Sequence, residues 1–148
     1  MLTGSWQVGI WRHGSRRLRR ATRTRSAAAR LHNVKEEQVQ AVFVAWLLER
    51  GWRDIVTSKR EVDVIAKRGA ETLIAEVKGT TSEPGLDTDT LMGQILRAMD
   101  GDEMTSYAVV VPEALAGKVQ RVPADMRRRL DLTVYLVDDF GHVRRLED

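Results

Sequence analysis

One short stretch limits the fold more than any other: residues 62–79, VDVIAKRGAETLIAEVKG. Two apolar runs flank Arg68-Gly69-Ala70-Glu71, and Gly69-Ala70 suits a two-residue type II′ loop, which wants glycine first. That turn pairs Arg68 with Glu71 and fixes every later pair of a β-hairpin. Asp63 then falls opposite Glu76, with Cβ atoms ~5 Å apart. Alternation sorts the faces. Val62, Val64, Ala66, Leu73, Ala75 and Val77 form one side, wholly apolar. Asp63, Ile65, Ile74, Glu76 and Lys78 form the other, so three charges gather at one end of a face whose isoleucines mark it as covered.

Two carboxylates set face to face repel, and at least one pKa must rise unless a cation lies between them. A divalent ion resolves the conflict, because hard cations such as Mg²⁺ prefer oxygen ligands and often take one or two carboxylates with phosphate and water. Lys78, beside Glu76 on the same face, has the reach to orient a water or to stabilise charge on a phosphate. Together these residues are the equipment of metal-assisted phosphodiester hydrolysis. The blander alternative is a charged cluster on a solvated sheet face, against which Ile65 and Ile74 weigh.

The remaining pattern places this hairpin in a larger sheet. Residues 34–50 read as a helix, with Asn33 as N-cap, Glu36 and Glu37 in the first turn and Gly51 just past the end. At ~100° per residue its inward stripe is Val39, Phe43, Trp46 and Leu47, with Glu36 and Gln40 also on it and Glu37 about a quarter-turn away. A strand is expected over 52–57, a helix over 88–100 with Leu91, Ile95, Ala98 and Met99 inward, and an apolar strand over 107–111 ended by Pro112. Helical material interrupted by Pro123 fills 113–130, a buried strand follows over 132–137, and DDFGHVRRLE makes one further turn and a short edge strand. The order α-β-β-β-α-β-α-β predicts an α/β fold, a mixed central sheet of about four to five strands flanked by helices.

Composition narrows the setting. The 148 residues suit one core, expected over 33–148. No cysteine is present, which excludes thiolate metal sites and disulfides and fits a cytoplasmic protein. The longest apolar run, AVFVAWLL at 41–48, is too short to span a bilayer, so no membrane partner is expected. Residues 1–30 hold eight arginines and no acid, while the remaining 16 basic residues face all 21 acidic ones, a net of −5. Residues 1–32 therefore read as a disordered Arg-rich arm able to hold nucleic-acid phosphates by charge alone. No apolar segment follows these charges to make a signal peptide.

Other constellations carry less. His13, His32 and His142 lack metal-ligand spacing, and Ser58, Ser82 and Ser106 have no histidine nearby for a hydrolase triad. KGTTSEPG at 78–85 lacks the order of a phosphate loop. Arg127, Arg128 and Arg129 read as a solvated helix face, and Trp46 and Trp52 as core.

Asp63, followed thirteen residues later by Glu76-Val77-Lys78, resembles the motif of the PD-(D/E)xK nuclease superfamily, the restriction endonuclease-like fold. The hairpin is most similar to those of archaeal-type Holliday-junction resolvases and Mrr-like restriction endonucleases. LLERGW before it and GQILRAM after it occupy the expected order over residues 34–111, and LDLTVYLVDDFGHV looks like the end of uncharacterised bacterial members. Val62 stands where many members carry proline. The resemblance implies a DNA nuclease using Mg²⁺ or Mn²⁺, with Asp63, Glu76 and the Val77 carbonyl as metal ligands and Lys78 as catalytic lysine. It implies a helix glutamate completing the site, Glu36 in first place and Glu37 in second, and a supporting role for Gln94. Lys59, Arg60, Thr80 and Thr81 would meet DNA, and a homodimer would be the working form. The alternatives are a non-catalytic nucleic-acid-binding module of the same fold and an α/β protein-interaction domain.

Overall fold

The computed structural model describes residues 34–58, 60–80 and 84–147. The expected Asn33 cap, the Arg-rich arm, Lys59 and Thr81 lie outside them. Helix α1 (Glu36–Glu49) opens the fold, entered through Lys35, whose backbone N–H donates to the Gln38 Oε1 at 3.1 Å. Strand β1 (Arg53–Thr57) follows, then the hairpin β2 (Val64–Arg68) and β3 (Glu71–Val77). Helix α2 (Pro84–Ala98) crosses to β4 (Thr105–Pro112). A 3₁₀ turn (Glu113–Leu115) and short helices α3 (Ala116–Val119) and α4 (Ala124–Arg129) lead to β5 (Leu132–Val137) and β6 (Val143–Arg145).

The fold is α/β, and its sheet has six strands rather than four or five, in the order β1-β2-β3-β4-β5-β6. The sixth is the terminal edge strand, three residues pairing Val137 with Val143 through Tyr135 with Arg145. Strands β3, β4 and β5 run parallel, as strands joined by helical crossovers must, and the others antiparallel. Edge strand β1 carries an irregularity between Arg53 and Val56, where Asp54 adopts φ 49°. Aspartate tolerates this left-handed backbone, and the resulting kink blunts an otherwise open sheet edge.

Two cores sandwich the sheet. On one face Val39, Phe43 and Leu47 of α1 pack on Val64, Ala66, Leu73, Ala75 and Val77. On the other, Leu91, Met92 and Ile95 of α2 meet Tyr107, Val109, Val134 and Leu136, with Ile74 against them. The alternation expected of β3 thus holds, one face to each helical layer. Two local expectations are corrected. Helix α2 begins four residues before Thr88, because Pro84 opens the first turn, where its missing N–H is harmless. Its buried side becomes Thr88, Leu91, Met92 and Ile95, while Ala98 and Met99 stay half-buried. Trp46 is half-buried and packs against the α1 core as expected, in a ring cluster with Phe43 and Tyr135 and with the Arg50 guanidinium 4.0 Å above it.

Candidate active site

Gly69 takes φ 61° while Ala70 stays out of the left-handed region, the signature of the type II′ turn. The register follows from it: Arg68↔Glu71 through Val64↔Ala75. Pairing stops at Val64, and Asp63 lies just outside the strand. In a continued ladder the Val77 N–H would turn to the Val62 carbonyl; instead it donates to the Asp63 Oδ2 at 2.7 Å. In an antiparallel pair a residue's N–H and C=O point to the same neighbour. The Val77 carbonyl therefore faces the strand edge on which the Asp63 carboxylate sits.

Glu76 lies across from Asp63 with its side chain on the α2 face and only 2% exposed. Its Oε1 has no hydrogen-bond partner among the described residues, while its carboxyl shares a hydrogen bond with Asp63. Burial, the bond to Asp63 and the Asp63 charge push its pKa from 4.5 up to about 8, with Lys78 pulling the other way. A carboxyl shifted this far favours its protonated form when no cation is near.

Lys78 stands one residue past the end of β3, its N–H donating to the Val110 carbonyl at 2.9 Å. Glu36, from the first turn of α1, reaches the Lys78 Nζ with its Oε2 at 3.3 Å. The half-buried Lys78 is screened less than a surface lysine, so the pair holds the ammonium in place. The lead-in to α1 docks directly on the strand end, where the Thr80 N–H donates to the Val34 carbonyl at 2.9 Å.

These contacts sort the sequence-predicted residues. Asp63, Glu76, Lys78 and Glu36 are brought together, Glu36 contacting the motif through Lys78, while Glu37 is exposed. Among the described residues no three Asp, Glu or His side chains form one metal-holding group, and Glu36 pairs with Lys78. Gln94 is half-buried on α2, the helix that covers the Glu76 face. Arg60 is exposed on the β1–β2 loop, which closes through Ser58 N–H to the Asp63 carbonyl at 3.2 Å. Thr80 is half-buried at the strand end. Arg127 corrects the solvated-face reading: it is 6% exposed, with Nη1 donating to the Val122 carbonyl at 3.0 Å. His142 is exposed and bonded to Asp138, and the Ser106 hydroxyl faces the Thr72 carbonyl, so neither joins the cluster.

Sequence reasoning missed Gly79, which follows the motif lysine. A Cβ on it would stand 2.5 Å from the Glu36 backbone nitrogen and 2.6 Å from the Val34 oxygen. The glycine after Lys78 was visible in the sequence; the helix above it was not.

No protein-family model matches the sequence, and no curated protein does. A crystal structure of an XisH family protein from Nostoc punctiforme PCC 73102 is similar in fold, with a TM-score of 0.55 and 16% identity. The match covers 74% of this chain and 98% of that one. At this identity the likeness is one of fold, and fold does not name a reaction. Among the described residues no helix is long and apolar enough to cross a membrane.

Proposed function

We propose that this chain is a metal-dependent DNA nuclease of the PD-(D/E)xK type, hydrolysing phosphodiester bonds at a site built from Asp63, Glu76, Lys78 and Glu36. The observation that carries the reading is Glu76, a carboxyl 2% exposed, pressed against a second carboxyl, with one oxygen unpartnered among the described residues. Leaving a buried acceptor unsatisfied costs on the order of 1–3 kcal/mol, more for a charged group. Packing alone gives no reason for two carboxyls to meet there.

The donor set is all oxygen: Asp63, Glu76 and the Val77 carbonyl. It fits a hard divalent ion, Mg²⁺ or Mn²⁺, which needs only one or two carboxylates when water and phosphate complete its shell. When bound, such an ion supplies Lewis-acid stabilisation of the phosphate. Asp63 is fixed by the Val77 N–H and Glu76 by its strand, so neither has to be ordered during the reaction. Lys78 has three donors. Glu36 takes one, and the others are left to orient the incoming water or to meet a phosphate oxygen. Arg60 and the Arg-rich segment before residue 31 would supply phosphate contacts that position DNA without reading its sequence.

The test uses the full chain with supercoiled, linear and branched DNA in Mg²⁺ or Mn²⁺. Cleavage should appear, stop with chelator, and be abolished by Lys78→Ala and by Asp63→Ala while circular dichroism is unchanged. Intact DNA of every topology in both metals would refute the nuclease reading. Binding without cleavage, weakening steeply with salt, would identify a non-catalytic module of the same fold instead.

A further inference from the structure

Resting on the nuclease reading of the same residues, we infer that Gly79 is a positioning residue, the backbone seat on which α1 settles so that Glu36 can hold Lys78. Three observations converge on it. Gly79 is buried, and the space a side chain would need is filled by backbone: Glu36 N at 2.5 Å, Val34 O at 2.6 Å and Lys35 C at 3.0 Å. Carbon cannot approach backbone atoms so closely, and backbone has no rotamer by which to withdraw. The next residue clamps the same spot, its N–H donating to the Val34 carbonyl at 2.9 Å. Glu36, the residue whose nitrogen a Cβ would strike, is the one whose carboxylate meets the Lys78 Nζ at 3.3 Å. Gly79 thus stands between the two partners in the chain's path, Lys78 on one side and the docked helix on the other.

Any side chain at 79 lifts the first turn of α1 away from β3. The strand itself is untouched: Glu76 and Val77 are held by their pairing with β4 and Asp63 by the Val77 N–H, contacts that do not pass through residue 79. The consequence is selective. The metal-binding carboxyls stay together while Glu36 withdraws from Lys78.

The experiment is a double-mutant cycle on the full chain, with DNA cleavage in Mn²⁺ and calorimetric Mn²⁺ binding as paired readouts. Glu36→Gln and Gly79→Ala should each slow cleavage by about 10- to 100-fold, the usual effect of removing a group that orients a site. Mn²⁺ affinity should stay within a few-fold of wild type. Because both act on one contact, Gly79→Ala/Glu36→Gln should be no slower than the worse single variant. Losses that multiply would show that Gly79 acts elsewhere, and full activity of either single variant would overturn the proposal. Should Gly79→Ala fail to fold, Glu36→Asp replaces it: drawing the carboxylate back by one methylene should reproduce the loss, and full activity there would also overturn it. A readout free of turnover separates this from failure of the nuclease reading. In wild type the Thr80 amide should be protected from exchange, and Gly79→Ala should expose it and shift the Lys78 ammonium resonance as Glu36→Gln does. Unchanged Thr80 protection and Lys78 resonance would overturn the positioning role even if the chain cuts no DNA.

Discussion

Glu76→Gln exchanges a carboxyl for an amide of the same shape at a position only 2% exposed. With its pKa raised from 4.5 to about 8, Glu76 in the metal-free folded chain keeps a proton that the unfolded chain has released across that interval. Stability linked to this group is therefore fully present below pH 4.5 and is lost as pH rises towards 8. An interval of about 3.5 pH units, at about 1.4 kcal/mol each, sets an upper bound of about 5 kcal/mol. In a domain of this size that corresponds to about 20 °C in Tm. Thermal and urea unfolding in chelator, from pH 5 to pH 9, reads it directly. Relative to Glu76→Gln, wild type should lose several kcal/mol over this range, leaving the variant the more stable protein at pH 9. Titrations elsewhere in the chain are common to both proteins and cancel in the difference. Parallel curves would refute the reasoning, because they would mean that Glu76 ionises in the folded state much as it does in water.

Asp63→Asn should shrink that pH slope without removing it, since burial is the first cause of the shift and Asp63 the second; an unchanged slope in unfolding curves would contradict this order. Gly69→Ala forces a side chain into φ 61° and should destabilise by about 1–2 kcal/mol in urea melts, whereas a neutral result would contradict the type II′ turn. Leu91→Ala opens a cavity between α2 and the sheet where no solvent reaches, and should lose about 2–5 kcal/mol by the same measurement.

The hairpin was the legible part of the fold because its turn residues leave little choice of register, and register decides which side chains meet. The Gly69-Ala70 turn predicted the pairs that form, Arg68↔Glu71 to Val64↔Ala75, and one further step of the count put Asp63 beside Glu76, just past the end of the ladder. Strand β6 was harder to count, since Val143, Arg144 and Arg145 show no apolar alternation and owe their pairing to β5. The early start of α2 was hidden by Pro84-Gly85, a pair that reads as a loop yet is tolerated in a first helical turn. Burial of Arg127 was not readable because its compensation includes the Val122 carbonyl, a contact made only once α4 has packed. At the site, the stripe of α1 singled out Glu36, but its partner lies 42 residues away and only tertiary structure joins them. A comparable separation hid the backbone of Val34 and Glu36 that closes over Gly79.

Calorimetric titration of the full chain with Mn²⁺ at pH 7, repeated in buffers of different ionisation enthalpy, tests most directly whether Asp63 and Glu76 hold a metal. Binding should occur with release of about one proton per ion, because Glu76 must give up the proton it holds at this pH. Both binding and release should vanish in Asp63→Ala and in Glu76→Gln. Absence of a binding heat in every buffer, or equal affinity in wild type and both variants, would contradict the metal site.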